Sequence, residues 1–321
     1  MSLKFLGAAL LGVALSTTAF AAGYPDRPVT IVVPFPAGGA SDSTARFLTP
    51  KMGEVLGQPV VVDNKPGANG GTGASHVAKA PADGYTLLVG SIGVYSINPA
   101  LYPNLAYSPQ KDFDLLTQAV RTPNVLVTSP NFPANTVKEL VEYLKKNPNK
   151  VTFASSGIGS SDHLTAALFW QKTGTQGLHV PYKGGGPAIN DLMGGHADVS
   201  FQNLGSVANQ IKAGKLKLLA VTAADRTSLF PDTPTMAQAG VPLEVYSWQA
   251  AAAPKGLPAD VKAKLEAALM AALKDPDTVK KYNDIGFEVV ASSPKDFAAF
   301  QAKEEEMWRQ VIKAGNIQPT Q

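Results

Sequence analysis

The chain has 321 residues, of which 45% are hydrophobic, and it contains no cysteine and carries a formal net charge of +3. Its length suits one large or two medium domains, and their stability must come from hydrophobic cores because no disulfide or zinc–thiolate site is available. The weak positive charge, with no basic run interleaved with aromatic residues, argues against a nucleic-acid partner.

The first 21 residues have the pattern of a signal peptide. Lys4 supplies the positive end, Phe5 to Leu15 the apolar centre, and Ala19-Phe-Ala21 the small-residue cleavage pattern. The apolar centre is shorter than the roughly 20 residues that span a bilayer, and no later stretch of the sequence qualifies as a span. We therefore expect an exported protein, cleaved near Ala21, that works in a bacterial periplasm or outside the cell; a retained N-terminal anchor is the alternative.

Segments typical of strands and helices alternate along the remaining chain. The predicted strands are Val29 to Pro34, Pro59 to Asp63, Tyr85 to Gly90, Val125 to Ser129, Val151 to Ser155, Leu178 to Pro181, Asp198 to Gln202, Leu216 to Thr222, Glu244 to Ala251 and Phe287 to Ala291. Capping signatures at Thr136-Val-Lys-Glu139 and Ser293-Pro-Lys-Asp296 begin two of the helices. This alternation predicts an α/β fold with a mixed, mostly parallel sheet and helices on both of its faces.

Two extended segments bounded by proline, Thr122 to Pro130 and Val245 to Pro254, have the pattern of crossings between lobes. They enclose a middle block of about 120 residues, an ordinary size for a domain. We predict a two-lobed clam-shell in which residues 22–124 and 250–321 form lobe 1 and residues 125–249 form lobe 2. Extended crossings bend without breaking, so hinge closure around a ligand is feasible.

The apolar run Val29 to Val33 ends at Pro34 and continues into a small-residue loop and a helix. At such a junction the first backbone N–H groups of the helix lack partners inside it and face the loop with the positive end of the helix dipole. An anion is therefore the expected ligand. The predicted contacts are Phe35, Pro36, Ala37, Gly38, Gly39, Ala40, Ser41 and Asp42.

A second junction of the same kind follows Val151 to Ser155. Its predicted contacts are Ser155, Ser156, Gly157, Gly159, Ser160, Ser161 and His163. Neither junction has a phosphate-loop signature, and the second lacks the third glycine of a dinucleotide fingerprint. Each alone is also compatible with an ordinary strand-to-helix turn, and His163 with a packing or capping role.

Three further positions follow predicted strands at their carboxyl ends, where open α/β sheets bind ligands. Tyr182 and Gly184 belong to a glycine-rich loop that also has the pattern of a tight turn. Gln202 and Asn203 end the strand that begins at Asp198, and Ser91-Ile-Gly93 ends the strand from Tyr85, which adds Ser91 and Gly93. Trp248 is a candidate for the floor of the cleft or for the core.

The sequence gives little support for a metal site, a cofactor or covalent catalysis. His76, His163, His179 and His196 show no spacing typical of metal ligands. Several serines lie close to His163 in sequence, but there is no G-x-S-x-G signature and no assignable acid partner. A serine hydrolase remains the enzymatic alternative, and a structural or partner-binding exported protein is the other.

An ordered set of motifs over nearly the whole chain after residue 21 resembles the solute receptors of tripartite tricarboxylate transporters, also called Bug receptors. The motifs are Tyr24-Pro-Asp-Arg-Pro28, Val33-Pro-Phe-Pro-Ala-Gly-Gly39 with Asp42 and Ala45-Arg46, Asn64-Lys-Pro-Gly67, Ala80-Pro-Ala-Asp-Gly-Tyr-Thr-Leu-Leu88, Asn98-Pro99, Val180-Pro-Tyr-Lys-Gly184 and Gly214-Lys-Leu216. No single motif is decisive, but the ordered set is highly specific.

The resemblance implies a monomeric periplasmic binding-protein clam-shell that is not an enzyme. It implies that backbone amides and waters from residues 35–42 and 155–161 hold one carboxylate of a small organic acid, either a di- or tricarboxylate or an aromatic acid. The receptor would deliver this acid to the membrane subunits of a tripartite tricarboxylate transporter; a ligand sensor without a transport role is an alternative. One departure concerns Gln202, where the family pattern commonly has an aspartate, which makes amino acids less suitable ligands.

Overall fold

The structure, a computed structural model, describes residues 23–319, so the predicted signal peptide at residues 1–21 lies outside the described residues. Within that range the chain folds into ten strands, eleven α-helices, a 3₁₀ helix at Ala68–Gly70 and a π-helix at Gly93–Ile97. The strands are β1 (Val29–Val33), β2 (Val60–Asn64), β3 (Thr86–Ser91), β4 (Phe113–Thr128), β5 (Thr152–Ser155), β6 (Leu178–Pro181), β7 (Val199–Asn203), β8 (Lys217–Val221), β9 (Tyr246–Pro254) and β10 (Glu288–Val289).

The helices lie mostly between successive strands, which confirms the predicted α/β alternation. They are α1 (Ala40–Leu56), α2 (Gly71–Ala78), α3 (Asn98–Leu101), α4 (Pro109–Asp112), α5 (Val137–Lys146), α6 (Ser161–Thr173), α7 (Gly185–Gly194), α8 (Leu204–Lys212), α9 (Ala259–Lys274), α10 (Pro276–Asp284) and α11 (Pro294–Ala314). Both predicted capping signatures begin helices: Thr136 accepts from the Glu139 N–H before α5, and Ser293 from the Asp296 N–H before α11.

The strands form one mixed sheet in the order β2-β1-β3-β9-β4-β7-β5-β6, with β8 and β10 also paired to β4. Strand β4 belongs to both parts of this sheet. Up to Pro123 it pairs with β9, and from Asn124 onward it pairs with β7, with β8 joining from Val125. We call β2, β1, β3, β9, β10 and the first part of β4 the first half-sheet, and the last part of β4 with β7, β8, β5 and β6 the second half-sheet.

Strand β4 begins earlier than the sequence predicted, at Phe113 instead of Val125. Its first part mixes polar residues such as Asp114 and Gln118 with apolar ones, and Pro123 within it is a residue that usually interrupts a strand. All pairs made by β4 and β9 are antiparallel, so antiparallel pairing has a larger share than the mostly parallel prediction. The parallel pairs are those of β1 with β2 and β3, and of β5 with β6 and β7.

Strand β1 lies inside the first half-sheet and is buried on both faces, as its β-branched sequence predicted: Ile31, Val32 and Val33 have no exposed surface. Helices α1 and α9 cover one face of this half-sheet. Helices α7 and α8 cover the corresponding face of the second half-sheet. In both half-sheets, the loops that follow the parallel strands lie at the same edge of the sheet.

The opposite face of both half-sheets shares one hydrophobic core. It includes Leu88 and Trp248 from the first half-sheet, Leu126 and Phe201 from the second, and side chains of α6 and α11 between them. The Gln171 amide on α6 donates to the carbonyl oxygen of Val311 on α11 (3.0 Å). The two halves are therefore joined by packing at the back of the molecule as well as by β4. Among residues 23–319, no helix is long and apolar enough to span a bilayer.

Candidate functional site

A cleft of about 1280 Å³ lies between the two half-sheets, at the edge where β1, β3, β5 and β7 end. Four loops border it: the first loop (residues 34–41), the asparagine loop (residues 65–70), the second loop (residues 156–162) and the third loop (residues 182–186). The first loop and the asparagine loop belong to the first half-sheet, and the other two belong to the second. A ligand in this cleft would contact both halves.

The first loop connects β1 to α1 and presents backbone donors to the cleft. Gly39 is the N-terminal cap residue of α1, with an extended backbone and no side-chain capping bond. Within the described residues, the backbone N–H groups of Gly39, Ala40 and Ser41 have no hydrogen-bond acceptor. These donors stand at the positive end of the 17-residue helix α1, so this end of the cleft favours a negative charge.

Asp42, predicted as a ligand contact, instead braces the first loop from behind and does not line the cleft. Its carboxylate accepts from the Gly38 N–H (2.9 Å), from Arg46 Nε (2.9 Å) and from Asn64 Nδ2 (2.9 Å). Burial alone would raise the pKa of Asp42, but the bonds from Arg46, Gly38 and Asn64 outweigh it and lower this pKa. The carboxylate is therefore ionised and fully used in fixing the loop.

The second loop repeats this arrangement on the other wall of the cleft. It connects β5 to α6, whose N-terminal cap Ser160 accepts weakly from the His163 N–H (3.4 Å). The Ser160 hydroxyl also donates to the carbonyl oxygen of Gly157 (2.6 Å). The Ser161 N–H has no acceptor among the described residues and lies at the positive end of α6. Two helix N-termini thus border the same cleft.

Asp162 braces the second loop as Asp42 braces the first. Its Oδ2 atom accepts from the backbone N–H and the hydroxyl of Ser156, both at 2.7 Å, and from Gln202 Nε2 at 3.3 Å. Burial raises the pKa of Asp162, and its hydrogen bonds offset this only in part. No cation pairs with Asp162 within residues 23–319, so the neutral donors and the N-terminus of α6 are what stabilise its charge.

Behind the second loop, the imidazole rings of His163 and His179 are stacked, with centroids 3.7 Å apart. His163 Nδ1 accepts from the Gly159 N–H (3.2 Å), and His179 Nε2 lies 2.6 Å from the Ser155 hydroxyl. Burial lowers the pKa of His163 to about 3, with a smaller contribution from His179, and burial lowers that of His179 to about 4. Both rings are neutral near pH 7 and support the loop from outside the cleft.

The third loop packs against the second. The Gly184 N–H donates to the carbonyl oxygen of Ser156 (3.1 Å). The Tyr182 hydroxyl donates to Asp191 on α7 (2.6 Å), and Tyr182 does not line the cleft. Burial, with the bond to Asp191, raises the pKa of Tyr182 to about 12. Gln202, buried at the end of β7, donates from Nε2 to Ser200 (2.8 Å), which leaves its Oε1 atom towards Gly185 and the cleft.

Three polar side chains, which we call the polar floor, line the cleft from the first half-sheet: Ser91, Ser247 and Gln249. Ser91 of β3 is paired in register with Gln249 of β9, and Ser247 is two residues before Gln249, so all three share one face. The Ser41 hydroxyl of α1 donates to Gln249 Oε1 (2.6 Å) and fixes the amide. Trp248 points to the opposite face and is fully buried in the core.

The asparagine loop was missed as a site by the sequence analysis, although a strand, a cluster of glycines and a helix follow one another there too. Asn69 has a left-handed backbone (φ 48°, ψ 42°), which is uncommon outside glycine. Its Nδ2 atom donates to Asn98 (3.0 Å) and to the carbonyl oxygen of Gly159 (3.3 Å). This last bond joins the two walls of the cleft.

Most of the side chains and backbone segments predicted as ligand contacts border the cleft. They are Phe35, Pro36, Ala37, Gly38, Gly39, Ala40, Ser41, Ser91, Gly93, Ser156, Gly157, Gly159, Ser160, Ser161, Gly184, Gln202 and Asn203. Asp42, Ser155, His163 and Tyr182 do not line it; all four instead make the supporting hydrogen bonds described above. Lining residues that the sequence analysis did not name include Asn69, Tyr102, Lys183, Ser206, Gln210, Ser247 and Gln249.

The cleft is lined by neutral groups with one exposed cation. Lys183, on the third loop, is the sole lysine or arginine among the lining residues that the structure describes. Asp162 is the sole acidic one there, and its oxygens already accept hydrogen bonds. In the described part of the chain, no cluster of three or more histidine, aspartate or glutamate side chains could hold a metal ion.

Known proteins resemble this chain in sequence and in fold. Residues 44–317 match the model of the tripartite tricarboxylate transporter family receptor. Protein BugT of Bordetella pertussis is 36% identical over 95% of this chain and 96% of its own. Two solved structures are similar: R. palustris Rpa4515 with adipate (36% identity, 92% and 100% coverage, TM-score 0.85) and MatC of Rhodopseudomonas palustris with bound malate (33%, 90% and 100%, 0.82). The chain therefore belongs to the receptor family of the tripartite tricarboxylate transporters.

Proposed function

We propose that this chain is a non-enzymatic periplasmic receptor that captures a small organic carboxylate between its two halves and delivers it to the membrane subunits of a tripartite tricarboxylate transporter. One observation carries the proposal. The free N–H groups at the N-termini of α1 and α6 border one cleft that is otherwise lined almost entirely by neutral groups. The adipate and malate bound to two similar structures support the same class of ligand.

Neutral donors are sufficient for useful affinity. A hydrogen bond to a charged oxygen contributes roughly 1.5 to 3 kcal/mol net, so four or five of them reach micromolar affinity after the costs of binding. Gly39, Ala40 and Ser41 supply such donors from one wall, and Ser161 from the other. We propose the cleft-lining residues of the first, second and third loops, with Gln202 and Asn203, as the ligand site.

Capture by closure requires two lobes that move relative to each other. We propose that β9, from Tyr246 onward, belongs to the same lobe as residues 22–124 and 250–321, because it pairs with β3 and with the first part of β4. The rest of residues 125–249 forms the other lobe, which begins after residue 124. The change of pairing partner in β4 between Pro123 and Asn124 supports this boundary, because a strand shared by two sheets can bend there while its pairing persists. Carboxylate bonds from both walls would then stabilise the closed state over the open one.

The proposal is tested by a thermal-shift screen of the purified chain without its predicted signal peptide, followed by calorimetry. The screen compares organic acids such as malate, succinate, adipate and lactate with their neutral amides, and includes sugars and amines. We expect at least one acid to stabilise the protein, its amide not to do so, and the radius of gyration to fall on binding. Stabilisation by sugars or amines alone, or by nothing in the panel, would overturn the proposal.

The role in transport has its own test. Deleting the gene should abolish uptake of the acid found in the screen, and a plasmid copy should restore it. Export is checked in the same strain by finding the processed chain in the periplasmic fraction. Uptake that is unchanged in the deletion strain would contradict delivery to a transporter, while the binding result would stand.

A serine hydrolase is the competing proposal, and one contact favours it: the Ser155 hydroxyl lies 2.6 Å from His179 Nε2. Ser155 is, however, buried and outside the cleft lining, and among the described residues no carboxylate is hydrogen-bonded to His179. A nucleophile must reach its substrate, so this pair is better suited to supporting the second loop. Turnover of ester substrates that is lost in Ser155→Ala would favour the hydrolase.

A further inference from the structure

We infer that the polar floor, Ser91, Ser247 and Gln249, selects acids that carry an uncharged oxygen close to the bound carboxylate, namely hydroxy- or oxo-carboxylic acids. This inference rests on the proposed carboxylate site and specifies its ligand class. It assigns Gln249 as the residue that donates to this oxygen and Ser41 as the residue that positions Gln249.

Buried polar atoms without partners carry the inference. Gln249 is 1% exposed and Ser247 is 3% exposed. Gln249 Nε2 and the hydroxyl of Ser247 make no hydrogen bond with any residue in the range 23–319. Among residues 23–319, the unpartnered side-chain atoms sealed from solvent belong to Thr122, Asn124, Trp170 and Asn203. The unpartnered atoms of Ser247 and Gln249, which line the cleft, are therefore open to it. A ligand that fills the cleft removes their water and must replace it.

The floor lies next to the proposed carboxylate donors. Ser41 contributes one of the free N–H groups at the N-terminus of α1, and its hydroxyl donates to Gln249 Oε1 at 2.6 Å. This bond directs the Nε2 group of Gln249 away from Ser41. An oxygen that accepts from Nε2 therefore belongs to a ligand atom a short distance from the carboxylate, such as a hydroxyl or keto group on the second or third carbon.

The charges around the floor favour an uncharged oxygen over a second carboxylate. No lysine or arginine of the described residues borders the floor, since the single lining cation, Lys183, is on the third loop of the opposite wall. In the proposed complex, the helix N-termini that can stabilise an anion are engaged by the first carboxylate. A second charge buried on Ser91, Ser247 and Gln249 would lose its hydration without a compensating cation, whereas a hydroxyl would not.

Matched pairs of acids that differ by one hydroxyl test the inference. Calorimetry on the purified chain compares malate with succinate and lactate with propionate. We expect the hydroxy acid of a pair that binds to be preferred by about tenfold, the value of one well-placed hydrogen bond. In Gln249→Met, which keeps the length of the side chain and removes its amide, this preference should fall to near unity. Ser41→Ala should reduce it partly, because Gln249 loses its fixed orientation.

Gln176→Met is the control, since Gln176 is exposed and remote from the cleft, and it should keep the preference. If Gln249→Met does not fold, the preference can be measured on a second variant of the polar floor, Ser247→Ala. Equal binding within both pairs, or a Gln249→Met variant that weakens both members of a pair alike, would overturn the inference while the carboxylate proposal stands. Binding of the dicarboxylates alone, whatever their hydroxyl content, would show a second carboxylate on the floor and also overturn it. A thermal-shift panel with no acid hit would remove the carboxylate proposal itself.

Discussion

The Asn69 side chain reaches across the cleft and donates a hydrogen bond to the carbonyl oxygen of Gly159, at 3.3 Å. The same amide donates to Asn98, and Asn98 Nδ2 donates back to the Asn69 carbonyl oxygen (2.9 Å), so the donor is held in place by a buried partner. Asn69 thereby contributes to the stability of the arrangement in which both walls face each other.

We predict that Asn69→Ala weakens binding of the acid identified in the screen by about three- to tenfold, the effect of losing the hydrogen bond between the two walls. The loss should appear mainly as faster dissociation, because the bond exists when the walls are close. Stopped-flow fluorescence gives both rate constants. The exposed Asn283 on α10 supplies the control Asn283→Ala, and an unchanged dissociation rate in Asn69→Ala would show that the bond does not hold the closed state.

The stacked pair of His163 and His179 predicts a loss of stability in acid. Their pKa values in the folded chain, about 3 and about 4, lie below the unfolded value near 6.5, so the unfolded state binds more protons between these limits. Stability is complete above pH 6.5 and declines as the pH falls towards 4. His163 contributes up to about 1.4 kcal/mol per pH unit between these limits, and the less buried His179, whose pKa is closer to the unfolded value, contributes over a narrower pH range.

Urea unfolding between pH 7 and pH 4.5 measures this decline. His179→Gln should reduce the slope, because the variant has one protonation site fewer and His163 loses a nearby group that lowers its pKa. His196→Gln is the matched control, since His196 is exposed and outside the pair. If the unfolding free energy of His179→Gln depends on pH as steeply as that of the wild type, groups other than this pair cause the loss of stability in acid.

Asp42 predicts a different pattern of effects, because it supports the first loop without lining the cleft. Asp42→Ala leaves the Gly38 N–H without its acceptor and removes one of the two acceptors of Asn64 Nδ2, which keeps its bond to the Phe35 carbonyl oxygen. We expect it to lower the free energy of unfolding by about 1–3 kcal/mol and also to weaken binding. Arg46→Gln, at an exposed partner of the same carboxylate, should change stability little. If Asp42→Ala binds the ligand with unchanged affinity, the hydrogen bonds of Asp42 to the first loop are not needed for ligand binding.

A substitution at Gly39 should weaken ligand binding without unfolding the protein. Its φ is −84°, and an added Cβ would meet only the Pro36 carbonyl oxygen, at 3.6 Å, so the backbone accepts a side chain there and we expect Gly39→Val to fold. The added methyl groups stand beside the free N–H groups of α1 and should reduce affinity at least tenfold. Gly159→Val is not equivalent, because Gly159 has φ +77° and its Cβ would lie 2.8 Å from Leu101 Cδ2. Thermal unfolding and calorimetry on Gly39→Val check both halves of this prediction.

The parts of the fold that depend on local sequence could be predicted. The β-branched run of β1, the small-residue loop after it and the capping residues of α5 and α11 are all properties of neighbouring residues. The first part of β4 could not be predicted, because its strand conformation depends on pairing with β9, far away in the chain. Pro123 within it argued locally against a strand.

The loops of the candidate site could likewise be predicted from local sequence, whereas the contacts of their side chains could not. Loop backbone that follows a strand was placed at the cleft, but the direction of individual side chains was not visible. Asp42 and His163 face away from the cleft because Gly38 and Gly159 offer them backbone donors, which only the folded loops reveal. Gln249 was missed because its place beside Ser91 comes from the pairing of β9 with β3.

The most direct measurement is a crystal structure of the chain with the acid that gives the largest thermal shift. We predict that one carboxylate of that acid lies within about 3.2 Å of backbone N–H groups among residues 39–41, and within the same distance of the Ser161 N–H or of a water bound to it. A carboxylate bound to Lys183 or elsewhere on the protein, with the N-termini of both α1 and α6 free of the ligand, would contradict capture between the two helices.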